Sequence, residues 1–195
     1  MEIKYFNSNF DKITQNKDTD QSITNLIEKL PSLNIVSDKN LLEETIKISN
    51  QFKEKKEKII VFGTGGSNLG ARALNNIISN NKIILEFYDN VDPINFEKNF
   101  QNINFELTGF LVISKSGTTP ETLSQFSCLY QKAIEANKVE DFFSNTLIIT
   151  EFKESPLFKI AKDNNCLLLE HHKDVGGRYS ISVSYTHLTL PTIDP

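Results

Sequence analysis

Six consecutive residues, Ser114-Lys115-Ser116-Gly117-Thr118-Thr119, carry four hydroxyls, one glycine and one cation. They follow the apolar run Phe110-Leu111-Val112-Ile113 and lead into Pro120-Glu121-Thr122, where helical spacing begins. Such a set suits a phosphate group. Hydroxyl and backbone donors meet its oxygens, and the positive end of the next helix adds favourable potential. A plain Ser/Thr cap is the competing reading, but one hydroxyl suffices for a cap.

A second loop, Gly63-Thr64-Gly65-Gly66-Ser67-Asn68-Leu69-Gly70, also joins an apolar run to a helical stretch. Its glycines permit a sharp turn and close approach of a ligand to backbone N–H groups. Three known phosphate and nucleophile loops fail on spacing. A dinucleotide loop needs glycine where Asn68 stands, although Asp89 sits where a ribose-binding acid would. A Walker loop needs lysine where Ala71 stands. A nucleophile elbow needs Gly-x-Ser-x-Gly, and Gly66 directly precedes Ser67.

A third segment, Gly176-Gly177-Arg178-Tyr179-Ser180, presents a planar cation suited to an anion or a developing oxyanion. On its own the segment is a weak signal, and a turn followed by a surface arginine fits it better. The adjacent His171 and His172 would face opposite sides of a strand, which makes them poor joint metal ligands. Cys128 is expected to pack on a helix and Cys166 to start a strand, neither with a catalytic partner.

These loops need elements to hold them. Five short apolar runs read as buried strands: Ile59–Phe62, Ile83–Tyr88, Phe110–Ile113, Thr146–Ile149 and Cys166–Leu169. Helical stretches lie between them, at Leu69–Ile78, Thr122–Asn137 and Leu157–Asn164, the last started by Pro156. Alternation of this kind predicts right-handed crossovers and an α/β fold, with a parallel sheet covered on both faces. Ligands then bind at the carboxyl ends of the strands. Before the first strand the chain reads as helical. Ser22 is expected to cap a helix ending at Pro31, and Asp38 to cap another that lines up Leu41, Leu42, Thr45, Ile46, Ser49 and Phe52. The run Lys53–Lys58, interrupted by acids, reads as a solvated helix end.

Composition narrows the function classes. The 195 residues carry 21 Lys and Arg against 25 Asp and Glu, so no strongly basic field exists for nucleic acid. Two cysteines make neither a disulfide framework nor a metal cluster. No apolar run approaches the ~20 residues of a membrane span. Residues Met1–Phe6 lack the basic and apolar blocks of a secretion signal, so a cytoplasmic setting is expected.

Taken together, the three segments resemble the glucose-6-phosphate isomerase family in content, order and separation. The Ser114–Thr122 segment alone would indicate only a sugar-isomerase (SIS) domain that binds phosphosugars. The resemblance runs from about residue 40 to Ser182, and Ser116-Gly117 looks like the bacterial form. Thr64 stands where isoleucine is common. The resemblance implies an SIS-type three-layer sandwich, a five-stranded parallel sheet flanked by helices. It would occupy residues 58–182, after an N-terminal helical segment at 1–57. It further implies that Gly66 and Ser67 touch sugar hydroxyls. Ser114, Lys115, Ser116, Gly117, Thr118 and Thr119 would cradle the phosphate, partly through backbone N–H groups. Arg178 would stabilise an enediolate, and Glu121 would support a catalytic histidine.

The implied reaction interconverts glucose 6-phosphate and fructose 6-phosphate, in glycolysis and gluconeogenesis. It follows a cis-enediol path with a glutamate base, no metal and no other cofactor. The implied partner is a sugar phosphate, with neither nucleic acid nor membrane, and the full-length protein would be a homodimer. Family members run to several hundred residues. The base glutamate, the ring-opening histidine and a late lysine belong to a second SIS domain, so this chain alone is expected to be inactive. A non-catalytic phosphosugar-binding regulatory module is the alternative, and a pentose or heptose phosphate isomerase a third. Absence of a DNA-binding segment weighs against the second, and the Gly-Gly-Arg-Tyr-Ser piece against the third. Residues Val183–Pro195 do not resemble the family, and they match one reading frame of a transposon-end sequencing adapter. They are expected to be a non-native tail, which leaves His187 without a role.

Overall fold

The short apolar runs become neighbours in one sheet. The computed structural model describes residues 17–77 and 83–176. Its strands are β1 (Lys58–Phe62), β2 (Ile84–Tyr88), β3 (Thr108–Ile113), β4 (Thr146–Thr150) and β5 (Leu167–Glu170). Their order is β2-β1-β3-β4-β5 and every pairing is parallel. Central β3 and β4 are buried along their whole length, as their apolar content requires.

Eight α-helices are described: α1 (Lys17–Lys29), α2 (Pro31–Asn34), α3 (Lys39–Lys53), α4 (Gly66–Ile77), α5 (Pro93–Asn99), α6 (Pro120–Glu135), α7 (Val139–Ser144) and α8 (Pro156–Asp163). Alternation along the strands divides the core in two. Ile60, Phe62, Phe110, Val112 and Ile148 face Phe96 of α5, Phe126 and Leu129 of α6, Phe142 of α7 and Leu157 of α8. Ile59, Val61, Leu111, Ile113 and Ile149 face Phe52 of α3 and Ala71 of α4. The molecule is therefore a three-layer α/β sandwich preceded by helices. No described helix is long and apolar enough to cross a membrane.

Several boundaries differ from expectation, each for a local reason. Helix α1 runs from Lys17, so Ser22 lies inside it rather than at its cap. Its periodic residues Ile23, Leu26 and Ile27 are exposed rather than packed. Helix α4 begins three residues before Leu69, at Gly66. Helix α5 escaped the periodicity because it is a single seven-residue segment. It is nonetheless capped by Asp92, whose side chain accepts from Ile94 N at 3.0 Å, with Pro93 in the first turn. The long helix expected to reach Asn137 ends at Glu135, because Asn137 turns left-handed (φ 54°) and α7 starts anew. Asp38 does cap α3, accepting from Asn40 N and Leu41 N.

Gly109 in β3 shows how α3 is seated. A Cβ there would lie 2.9 Å from Phe52 Cζ and 3.3 Å from Ile59 Cγ1. The missing side chain is the space the Phe52 ring occupies, and that ring is only 2% exposed. Gly109→Ala is expected to overpack this contact and lower stability by about 1–3 kcal/mol. Urea unfolding should show a lower midpoint with an unchanged slope.

Candidate functional site

Sheet order fixes where a ligand can enter. From β1 the chain crosses to β2 on one side, then returns past β1 to β3 on the other. Helix α4 covers one face and α6 the opposite one. The two loops that leave β1 and β3 therefore lead to helices on opposite faces, and in open α/β sheets such a point is where ligands bind. Both hydroxyl- and glycine-rich loops lie at this switch point. Phe62 pairs with Val112, so Gly63 and Ile113 stand level. A Cβ on Gly63 would come within 3.4 Å of the Ile113 carbonyl and 3.3 Å of Ser67 Cβ.

In the first loop Gly65 adopts φ +54° with open space around it, so only its conformation calls for glycine. Ser67 N donates to Thr64 O at 3.2 Å and Asn68 N to Gly65 O at 3.0 Å, which winds the loop into α4. The buried Asn68 amide donates back to Gly63 O at 3.1 Å. Gly66 and Ser67 thus occupy the first turn of α4. Asp89, at the end of β2, pairs with Arg72 of α4 at 3.5 Å.

The second loop is fastened by its carbonyl groups. Lys115 O accepts from Glu151 N at 3.0 Å and from Thr150 Oγ1 at 3.3 Å. Gly117 O accepts from Leu157 N at 3.2 Å, and Ser114 N donates to Ile149 O at 3.1 Å. Gly117 has φ +68°, and a Cβ there would overlap Ser155 and approach Thr150 Oγ1 to 2.9 Å. Ser155 is itself the cap of α8, accepting from Phe158 N. The start of α8 and the end of β4 thus mould the loop from outside.

Its hydroxyls bond to one another and to N–H groups of the loop itself. Ser114 Oγ and Thr119 Oγ1 are 2.8 Å apart, and Thr118 Oγ1 donates to Ser116 Oγ at 2.9 Å. Gly117 N donates to Ser114 Oγ, and Thr118 N to Ser116 Oγ. Thr119 is the N-cap of α6 but caps no N–H with its side chain. An oxyanion needs donors, and the Ser116 hydroxyl, which only accepts here, and one hydroxyl of the Ser114–Thr119 pair keep a rotatable proton to offer. The sixteen-residue α6 directs its positive end to the same place.

Three buried side-chain oxygens on α4 and α6 meet no partner among the described residues: Asn68 Oδ1, Thr122 Oγ1 and Gln125 Oε1. The amide of Gln125 donates to Tyr88 O and Asn90 O, which ties α6 to the end of β2.

The lysine expected in the cradle has its ammonium elsewhere. Lys115 Nζ donates to Lys173 O at 2.6 Å and Val175 O at 2.9 Å, and lies 3.6 Å from Glu151. Lys153 also pairs with Glu151. These ammonium groups, that of Lys153 first, hold the Glu151 carboxyl below its usual range. Glu121 is exposed in the first turn of α6. Gly177, Arg178 and the segment Val183–Pro195 lie outside the described residues.

His171 is buried and His172 half-exposed, and both follow the end of β5 rather than lying on a strand. Cys128 is exposed on α6 rather than packed. Cys166 is half-buried just before β5, and burial pushes its thiol up to about 11, away from nucleophilic use. Sequence reasoning missed Thr150, Glu151 and Ser155. The only signal for them was the Ser155-Pro156 helix start.

The family model for phosphoglucose isomerase matches residues 19–191. Among curated proteins, a probable glucose-6-phosphate isomerase of Methanococcus maripaludis is 36% identical over 153 residues, covering 74% of this chain and 34% of its own length. A glucose-6-phosphate isomerase of Prochlorococcus marinus is also 36% identical, over 76% of this chain and 28% of its own. The chain spans about a third of the length of these relatives. Among solved structures, a glucose-6-phosphate isomerase from Chlamydia trachomatis shares the fold with a TM-score of 0.63 at 24% identity. That likeness covers 72% of this chain and 28% of the other.

The buried His171 generates a pH prediction. Its Nδ1 lies 3.2 Å from His172 O, and burial holds the imidazole below its ordinary 6.5. Between its folded value and 6.5 the unfolded chain binds the proton and the folded chain does not, so stability falls as pH drops through this window. Above 6.5 the effect is absent. His171→Asn should flatten the slope of stability just below pH 6.5, as measured by urea midpoints along a pH series.

Proposed function

The chain belongs to the phosphoglucose isomerase family, and from that premise we propose that it forms the phosphate-binding part of a glucose-6-phosphate isomerase. One observation carries the reading. The hydroxyl loop and the glycine loop leave the adjacent ends of β1 and β3, each at the start of a helix on an opposite face. A phosphorylated sugar needs two such places, one for the dianion and one for the hydroxyls of its carbon chain.

In this proposal the phosphate sits over the first turn of α6. Ser114, Ser116, Thr118 and Thr119 supply hydroxyls, and Lys115 and Gly117 contribute through the backbone. Gly66 and Ser67 serve the sugar hydroxyls. Aldose–ketose isomerisation moves a proton between neighbouring carbons and changes no net oxidation state, so it requires no electron carrier. A proton leaves the carbon beside the carbonyl, and the electron pair collects on oxygen as an enediolate. Arg178 stabilises that oxygen with a planar cation. The proton then returns to the adjacent carbon. A positioned base contributes ~10²–10⁴-fold to such a step. In this reading the base, the ring-opening group and the histidine served by Glu121 come from the family length that this chain does not span.

The 195-residue chain should therefore bind glucose 6-phosphate and fail to turn it over. Extension with the remaining length of a relative such as the Methanococcus protein should produce fructose 6-phosphate in a coupled assay. In that extended enzyme, Ser116→Ala with Thr119→Ala removes two bonds to a charged group, each about 1.5–3 kcal/mol. KM should rise more than about tenfold. An unchanged KM, or turnover by the 195-residue chain near that of the extended enzyme, overturns the proposal. Binding by the chain with no turnover after extension would favour a phosphosugar-sensing module instead.

A further inference from the structure

Lys115 lies inside the hydroxyl loop, yet its ammonium reaches away from it. An ammonium has three donor hydrogens, and Lys115 has three acceptors in reach: Lys173 O, Val175 O and the Glu151 carboxylate. The first two are 58 and 60 residues away along the chain. They belong to the turn that follows β5, and in the sequence Val175 stands three residues before Arg178. Val175 is held from its other side as well. Its side chain is fully buried against Ile35, with Leu41 of α3 packed on the pair. The carbonyl of Lys115 is fixed in turn by Glu151 N and Thr150 Oγ1 at the end of β4. Glu151 thus binds Lys115 twice, by its backbone to the carbonyl and by its carboxylate to the ammonium.

We infer that Lys115 is a positioning residue: its side chain ties the hydroxyl loop to the segment Lys173–Val175, and so sets the distance between the phosphate seat and the chain that leads into Arg178. The ammonium is a strap, and the phosphate charge is met by hydroxyls, backbone N–H groups and the end of α6. This rests on the isomerase reading and deepens it, since it gives a residue of the phosphate loop a role other than holding the phosphate.

Lys115→Met keeps the length of the side chain and removes its donors. In the 195-residue chain, amide hydrogen exchange at Lys173–Gly176 should speed up at least about tenfold. Affinity for inorganic phosphate, followed through the amide signals of Ser116 and Thr118, should fall less than about tenfold. Unchanged exchange, or a phosphate loss of tenfold or more, overturns the assignment. Should the variant not fold, the unaltered protein carries the same test. The ¹⁵N resonance of the Lys115 ammonium should stay in place on saturation with phosphate, and a shift to a phosphate-bonded position overturns the inference. In the extended enzyme, Lys115→Met should lower kcat about tenfold or more with KM changed less than threefold, and Lys115→Arg should recover part of kcat. A rise in KM with kcat intact makes the ammonium a phosphate ligand and overturns it. Failure of the unaltered extended enzyme to turn over would instead reject the isomerase reading, while the exchange result still decides the strap.

Discussion

Strands β1 and β3 run side by side at the middle of the sheet, and their chains must leave it toward opposite faces. That divergence is imposed by strand order alone. In open α/β sheets such a point is where ligands bind. Nearly every unusual choice of residue nearby answers to it. Gly63 lets the two strand ends stand level, Gly65 turns the chain into α4, and Gly117 folds the second loop down against α8. The helices on the two faces then begin from adjacent strand ends.

Packing on each face holds this arrangement still. On the α5–α8 side an aromatic set fills the layer: Phe96 and Phe100 meet edge to face at 4.7 Å, and Phe126 and Phe142 lie 5.1 Å apart. On the other side Phe52 enters the space left by Gly109. The N-terminal helices reach the site region only through small contacts. Ile35 meets Val175 there, while Ile23, Leu26, Ile27 and Leu33 remain exposed.

Most of the sheet was legible in the sequence because buried parallel strands are continuous apolar runs, and β1, β3 and β4 follow theirs to within two residues. The short helices were less so. A seven-residue segment such as α5 has too few turns to show a period, and the division between α6 and α7 rests on one left-handed residue, Asn137. The two loops stood out through composition. What holds them did not. Ser155 and Thr150 matter because they occupy the place of a Gly117 side chain, and Lys115 because of carbonyls some sixty residues away. Such relations arise only once β4 and β5 are side by side. Helix α1 is the opposite case, with a periodic apolar stripe whose Ile23, Leu26 and Ile27 stay exposed.

The outward fastening of the hydroxyl loop separates two kinds of information. Its shape is held through carbonyl oxygens and a glycine, by Glu151, Thr150, Ser155 and Leu157. The side chains of Ser116, Thr118 and Thr119 bond within the loop and take no part in that outer frame. Substitution at those three positions therefore leaves the outer contacts in place. Under the proposed function it changes the donors offered to the phosphate while the loop keeps its shape.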